Sequence, residues 1–171
     1  MNQATLAQPS SEPAIEKPLF KPFKRAIVDI LADLAKPVPD RFLDTRQQGG
    51  ATLTYIPWYT VAKLLDYYAP GWEGMVTGMH TTGDRLFVTY RISIHAEEGT
   101  FTREATGTEL LKEDKPIKQN GKVLKDEHGN SITKRVELAY GDPSSNAESM
   151  AFRRAAAKFG LGLHLYEKDD R

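Results

Sequence analysis

Three basic side chains are grouped on a helix predicted near the end of this chain. Arg153 and Arg154 are adjacent, and Lys158 follows Arg154 by four residues, so Arg154 and Lys158 lie one turn apart on one helix face. Cations grouped in this way are suited to the phosphate oxygens of a nucleic-acid backbone. The alternative interpretation is a solvated face of a surface helix, where lysine and arginine are common.

A second group combines a cation with aromatic rings. Arg46 lies in the segment that ends at Tyr55, and Trp58 and Tyr59 follow closely. Rings beside a cation can stack on nucleic-acid bases while the cation contacts phosphate. The alternative is that these rings fix the following helix to the core, and we expect Trp58 and Trp72 to be core residues.

The residues that could support catalysis are poorly arranged. The four histidines are His80, His95, His128 and His164. They show no metal-ligand spacing, no phosphate-binding GxxxxGK[ST] loop is present, and the chain has no cysteine. Asp142 and Glu148 have simpler local roles, in a turn before Pro143 and in a helix capping box with Ser145. We therefore predict no enzyme activity, no metal and no cofactor.

The overall charge does not identify a nucleic-acid-binding protein. The 171 residues include 23 Lys or Arg and 23 Asp or Glu, with an isoelectric point near 6.9. Phosphate binding would require the cations to be segregated onto one surface. No apolar stretch reaches membrane-spanning length, and Glu12 and Glu16 argue against a transit peptide. We expect a cytoplasmic, nucleoid-associated protein with no membrane partner.

The elements around these groups indicate an α+β fold. Residues 1–20 are predicted to be a disordered tail and 23–35 an amphipathic helix. The segment DTRQQGGATLTY is predicted to be a polar loop, whose paired glycines suit either a flexible or a tightly turned backbone. A second helix begins at Pro57 and ends at Pro70-Gly71. Residues 74–80, 86–94 and 100–109 then predict three antiparallel strands, with a turn at Glu97-Glu98-Gly99.

The last helix is predicted to begin near Asn146, because Ser145 and Glu148 form a capping-box pattern. Alanines at 147, 151 and 155 form its packing stripe. Gly160 and Gly162 end the helix, and we expect residues 163–166 to be extended.

An unusual segment separates the strands from this helix. Residues 112–138 carry Lys or Arg at 112, 115, 118, 122, 125, 134 and 135, and acids at 113, 114, 126, 127 and 137. Turn residues within the segment predict either a protruding β-hairpin or a mobile loop. It is either a solvated insertion or an additional DNA contact surface. In the second case, the candidate contacts are Lys122, Lys125, Lys134 and Arg135.

Three segments together resemble the Rad52 family of single-strand annealing proteins, in particular its compact versions from bacteria, phages and plant organelles. These segments are YIPWYTVAKLLDYYAPGWEG (55–74), FTREATGTE (101–109) and AYGDPSSNAESMAFRRAAAKFGLGLHLY (139–166). FRRAAAKFGLGLHLY with REATGT carries most of the specificity. The resemblance implies a domain over 21–166, containing the 112–138 insertion, with a charged tail at 167–171.

The resemblance further implies a three- to four-stranded β-meander packed against helices, in a β-β-β-α core that assembles into a ring of about ten or more subunits. Such proteins bind single-stranded DNA and anneal complementary strands without ATP, in recombination and repair. A recombinase or a single-strand binding protein is then an expected partner. The alternatives are a passive single-stranded DNA- or RNA-coating protein and, from another class, a metal-dependent nuclease.

The resemblance also implies which residues hold DNA. Arg46, Tyr55, Arg153 and Arg154 match the family's inner groove. A further helix arginine of better-known relatives falls on Ala157, which makes the neighbouring Lys158 its candidate substitute. Some relatives have a lysine at the hairpin turn for an outer DNA site, where this chain has Glu97-Glu98.

Overall fold

The computed structural model describes residues 24–48, 50–137 and 142–167. In chain order the elements are α1 (Ile27–Leu34), β1 (Asp44–Gln48), β2 (Ala51–Tyr55), α2 (Trp58–Tyr68), β3 (Glu73–Thr82), β4 (Arg85–Ala96), β5 (Gly99–Leu110), β6 (Lys112–Pro116), β7 (Lys118–Gln119), β8 (Lys122–Val123), β9 (Thr133–Glu137) and α3 (Pro143–Ala157). Short 3-10 helices span Asp40–Phe42 and Leu163–Tyr166. The predicted tail over 1–20 and residues 168–171 of the predicted charged tail lie outside the described residues.

The α+β class and the antiparallel meander are confirmed. Strands β3, β4 and β5 form one antiparallel sheet in that order, so β3 and β5 are its edges. Alternate residues of β4 enter the core, with Val88, Ile92 and Ile94 fully buried. Helices α1 and α2 add Ile30, Leu34, Val61 and Leu65 to the same apolar interior.

Helix α3 packs closely on β4 and β5 because small residues meet on both sides. Ala147, Ala151 and Ala155 are fully buried, as their spacing predicts. Opposite them, a Cβ at Gly107 of β5 would overlap the carbonyl oxygen of Ala147. The glycine of the REATGT segment therefore allows the helix backbone to approach the strand backbone directly.

The predicted start of α3 is wrong. The helix begins at Pro143, and Asp142 is its N-cap, with Oδ1 accepting from the Ser144 amide at 2.9 Å and from the Ser144 hydroxyl at 2.7 Å. Proline is favourable at the first helical position, because its missing N–H needs no partner there. The Ser145–Glu148 pattern thus lies inside a helix that another residue caps.

Three further expectations are corrected. The polar segment before Tyr55 is a regular hairpin, in which β1 pairs with β2 in antiparallel register. Trp58 is 53% exposed rather than buried, because side chains lean towards a helix N-terminus and Trp58 is the first residue of α2. Residues 163–166 form a 3-10 turn, which Gly162 permits with a φ of +68°. Trp72, half-buried and stacked on Phe152, does pack against the core.

The first helix is shorter than predicted. Residues 24–26 of the predicted span 23–35 precede α1 and are not helical, and Phe23 lies outside the described residues. The end of α1 at Leu34, before Pro37, agrees with the pattern.

The insertion is a β-hairpin, one of its two predicted forms. Strand β6 pairs with β9, and the shorter β7 pairs with β8 nearer the tip. Arg135 forms an ion pair with Asp84 in the turn between β3 and β4, which fixes the base of the hairpin against the main sheet. In the part of the chain that the structure describes, no helix is long and apolar enough to cross a membrane.

Candidate nucleic-acid interface

The ring of Tyr55 lies close to two arginines from different parts of the chain. The guanidinium carbon of Arg153 is 4.9 Å from the ring centre, and that of Arg46 is 5.9 Å away. Both distances are within the range of a cation–π interaction. Three of the sequence-predicted site residues are thus brought together at one point.

The register of the β1–β2 hairpin and the packing of α3 explain why Arg46, Tyr55 and Arg153 lie close together. In the β1–β2 hairpin, Asp44 pairs with Tyr55 and Arg46 pairs with Leu53, so these four side chains share one face. The Tyr55 hydroxyl donates to Asp44 Oδ2 at 3.2 Å, which fixes the ring at the base of the hairpin. Helix α3, held on the sheet by its alanine stripe, presents Arg153 to the same ring.

A groove of about 370 Å³, called here the arginine groove, is lined by Arg46, Arg153 and a third arginine, Arg154. Its lining residues are Arg46, Leu53, Thr54, Tyr55, Ile56, Val61, Met150, Arg153, Arg154, Leu161, Gly162, Leu165 and Tyr166. Among the residues that the structure describes, this lining has three guanidinium groups and no carboxylate. A chain with no net charge thus carries a locally positive groove with apolar and aromatic walls, as phosphate binding requires.

Burial shifts the pKa of both central side chains. Partial burial lowers the pKa of the Arg153 guanidinium, but arginine remains charged at any physiological pH. Burial, and then the nearby Asp44 carboxylate, raise the pKa of Tyr55, with Arg153 and Arg46 opposing the rise. Arg153 is therefore an incompletely hydrated cation beside a neutral phenol, and water weakens its attraction for an anion less than at a fully exposed site.

Arg154 and Lys158 have a second role that their spacing did not reveal. Arg154 donates to the backbone carbonyl of Thr106 at 2.9 Å, and Lys158 Nζ donates to the carbonyl of Glu104. Both carbonyls lie on the edge strand β5. Arg154 on α3 and Lys158, the residue that caps the C-terminus of α3, are four apart in the chain, and their acceptors are two apart on the strand. Together the two side chains cover part of the edge of the sheet.

Ala157 is buried against the sheet, with only 4% of its surface exposed. The neighbouring Lys158 lies outside the arginine groove. It lines a shallower surface with Arg154, Leu163 and Tyr166. A cation at 158 therefore extends the positive surface along β5 and does not occupy the place of residue 157.

The insertion cations are not part of the groove lining. Lys122, Lys125 and Lys134 are exposed on the hairpin, and Arg135 pairs with Asp84. Lys134 lies directly opposite Lys115 in the β6–β9 register, so two like charges share one face. Lys115 is ion-paired with Glu113 on the same strand at 2.9 Å, so part of the positive charge of this face is neutralised. Nothing in the described structure connects the face to Tyr55.

The acidic turn at Glu97-Glu98 has a structural explanation. Glu98 accepts a hydrogen bond from the Ile27 amide at 2.9 Å, which satisfies a free N–H at the start of α1. The Glu97 amide donates to the Arg25 carbonyl at 3.0 Å. The turn that carries a lysine in some relatives thus serves here to attach α1 to the sheet.

Tyr166 is a candidate site residue that sequence reasoning missed. It is 53% exposed and lines both the arginine groove and the surface beside Lys158. Its position depends on the turn at Gly162, where a Cβ would collide with the Ile56 side chain. The sequence signal for Tyr166 was an aromatic residue directly after a basic helix. It was overlooked because residues 163–166 were expected to be extended.

Metal ligands are not gathered in the described residues, since no three His, Asp or Glu side chains there form a group that could hold an ion.

Two known proteins are similar to this chain. The DNA repair RAD52-like protein 1, mitochondrial, of Arabidopsis thaliana is 36% identical over 147 residues, which cover 85% of this chain and 70% of that protein. The DNA repair RAD52-like protein 2, chloroplastic, of the same plant is 34% identical over 148 residues, covering 84% of this chain and 62% of that protein. No protein-family model matches the chain. The first match, at 36% identity and over more than two thirds of both proteins, shows that the chain belongs to the Rad52-like family.

Proposed function

We propose that this protein binds single-stranded DNA in the arginine groove and anneals complementary strands without nucleotide hydrolysis, in recombination and DNA repair. The observation that carries the proposal is the Tyr55 ring within cation–π distance of Arg46 and Arg153, in a groove whose described lining residues include no carboxylate. The names of its relatives, both DNA repair RAD52-like proteins, support the biological setting.

In this mechanism the arginines bind phosphates and the aromatic rings contact sugars or bases. Each neutralised phosphate releases counterions, which favours binding and makes it weaken as salt rises. Bases that are not held in the groove remain free to pair. Annealing itself is driven by base pairing and stacking, worth about 1.4 kcal/mol per step on average. The protein therefore needs to supply only positioning and charge neutralisation.

Arg154 and Lys158 are proposed to contribute phosphate contacts along the β5 edge. Each holds a strand carbonyl with part of its hydrogen-bonding capacity, and both side chains remain exposed. The insertion cations Lys122, Lys125 and Lys134 are proposed to contact DNA beyond the groove. Arg135 is the weakest candidate of this set, because its guanidinium is already paired with Asp84.

We further propose that the subunits assemble into a ring of about ten or more copies, which would align their grooves into one continuous path for a DNA strand. The proposed partners are a recombinase or a single-strand binding protein. Light scattering with simultaneous mass measurement tests the assembly, and a monomeric mass at micromolar concentration would contradict it.

An annealing assay distinguishes this function from passive coating. Two complementary labelled oligonucleotides are mixed with and without the protein, in EDTA and without ATP, and duplex formation is followed by energy transfer. We expect annealing faster than that of the naked strands. Tight binding without acceleration would instead identify a coating protein. Loss of full-length labelled strand in a parallel Mg²⁺ reaction would indicate a nuclease.

A further inference from the structure

A second groove, of about 350 Å³, lies on the other side of the Asp44–Tyr55 contact. It is lined by Arg41, Phe42, Leu43, Asp44, Pro57, Tyr59, Thr60, Lys63 and Leu64. These residues come from the turn before β1 with the first residue of β1, and from the segment 57–64 at the start of α2. They include two cations, two aromatic rings and one carboxylate.

The two cations in this groove each lie over a ring. The Arg41 guanidinium carbon is 4.7 Å from the centre of the Phe42 ring, and Lys63 Nζ is 5.8 Å from the centre of the Tyr59 ring. Neither cation has an acidic partner among the described residues within ion-pair distance. Phe42 is 38% exposed and Tyr59 is 51% exposed, so packing alone does not explain the rings.

The second groove adjoins the arginine groove at one hydrogen bond. Tyr55 lines the first groove, Asp44 lines the second, and the Tyr55 hydroxyl donates to the Asp44 carboxylate between them. The Asp44 carboxylate also accepts from the Thr45 amide at 2.7 Å. The Asp44 carboxylate between the two grooves thus accepts two hydrogen bonds. It is one negative charge, whereas the arginine groove has three cations and the second groove has two.

We infer that this second groove is a further subsite for single-stranded DNA, next to the nucleotides held at Tyr55. Arg41 and Lys63 bind phosphates there, and the exposed rings of Tyr59 and Phe42 stack on bases. Alternating cations and exposed rings along a groove are the pattern by which proteins bind single strands with little dependence on sequence. The inference rests on the proposed function, because it extends the path of the same strand.

The charges are tested by removing Arg41 and Lys63 together. For Arg41→Gln/Lys63→Gln binding a 30-nucleotide oligo-dT, the slope of log K against log salt should become shallower by about 1.4, since each phosphate contact contributes about 0.7. Lys24→Gln/Lys36→Gln is the matched control: it removes the same charge on either side of α1, from residues that line neither groove. Its slope should equal that of the parent.

The rings are tested by Tyr59→Ala and Tyr59→Phe. Alanine should weaken binding of the same oligonucleotide by at least about fivefold, the lower end of what one stacked base contributes, while phenylalanine should retain the parental affinity. Photocrosslinking of the unmodified protein to oligonucleotides containing 5-iododeoxyuridine tests the same contact without any substitution. We expect adducts on Tyr59 or Phe42 in addition to Tyr55.

An unchanged salt slope in Arg41→Gln/Lys63→Gln, with crosslinks confined to the arginine groove, would overturn the second subsite and leave the proposed function standing. If the parent protein binds no single-stranded DNA, both the subsite and the proposed function fail. A slope that falls equally in the Lys24→Gln/Lys36→Gln control would also overturn the subsite, because the effect would then come from total charge.

Discussion

The guanidinium of Arg153, on the last helix, lies 4.9 Å above the ring of Tyr55, at the end of the β1–β2 hairpin. This contact joins two segments that are far apart in the chain and that both carry the family resemblance. It places a partly dehydrated cation beside an aromatic face. The ring also lines the groove that contains Arg46 and Arg154.

Substitution of Tyr55 should separate the contribution of the ring from that of its hydroxyl. Tyr55→Phe keeps the ring beside Arg46 and Arg153 and loses only the hydrogen bond to Asp44, so we expect oligo-dT affinity within about twofold of the parent. Tyr55→Ala should lose about 1–3 kcal/mol of binding free energy. Fluorescence anisotropy at fixed salt measures both. Equal affinities of the two variants would argue against a role for the ring.

Lys158→Gln tests whether this lysine stabilises the fold as well as contacting DNA. Its ammonium holds the Glu104 carbonyl on the β5 edge. We expect the free energy of unfolding in urea to fall by about 0.5–1.5 kcal/mol, the net value of one such hydrogen bond. Lys112→Gln, another exposed lysine, which makes no such contact within the described residues, is the control. If urea stability is unchanged while DNA binding is lost, Lys158 acts only as a phosphate ligand.

Gly107→Ala should disrupt the packing of α3 on the sheet. The added methyl group would overlap the Ala147 backbone, so either the helix or the strand must move. We expect the free energy of unfolding, measured by urea denaturation, to fall by about 1–3 kcal/mol. Gly78→Ala is the matched control in β3, because its methyl group would meet only Thr89 at an ordinary 3.7 Å. Similar stabilities of the two variants would contradict this account of the contact.

The cap of α3 should give a pH-dependent contribution to stability. Hydrogen bonds from Ser144 hold the pKa of Asp142 below its ordinary value of 3.8. Because the folded-state pKa is lowered, this contribution is fully present above about pH 4 and is lost as pH falls through the folded-state pKa. Asp142→Asn keeps a capping side chain that does not titrate. The stability difference between parent and Asp142→Asn should therefore shrink on acidification, and a difference independent of pH would exclude this role.

Much of the fold could be predicted because its signals are local. Alternation along β4 and the alanine spacing of α3 both reflect burial on one face, and the structure agrees with them. The turn at Glu97-Glu98 was indicated by Gly99, which has a φ of +141°. The errors occurred where two local patterns competed. Asp142-Pro143 and Ser145–Glu148 are both plausible helix starts, and the proline at the first helical position favours the earlier one.

The candidate site was predictable in its members but not in its geometry. Arg46, Tyr55 and Arg153 were identified largely through resemblance, and the structure gathers them in one groove. The three side chains meet because of the β1–β2 register. The paired glycines had indicated a loop in this segment, so the sequence did not predict the two strands or their register. The hydrogen bonds of Arg154 and Lys158 to β5 are long-range contacts, which helical spacing cannot reveal.

The most direct test of the arginine groove is the salt dependence of single-strand binding by Arg46→Gln/Arg153→Gln. Affinities for a 30-nucleotide oligo-dT are measured across a series of NaCl concentrations for parent and variant, with folding checked by circular dichroism. Two lost phosphate contacts should make the slope of log K against log salt shallower by about 1.4. A slope and affinity equal to those of the parent would contradict the account, because single-stranded DNA would then bind elsewhere on the protein.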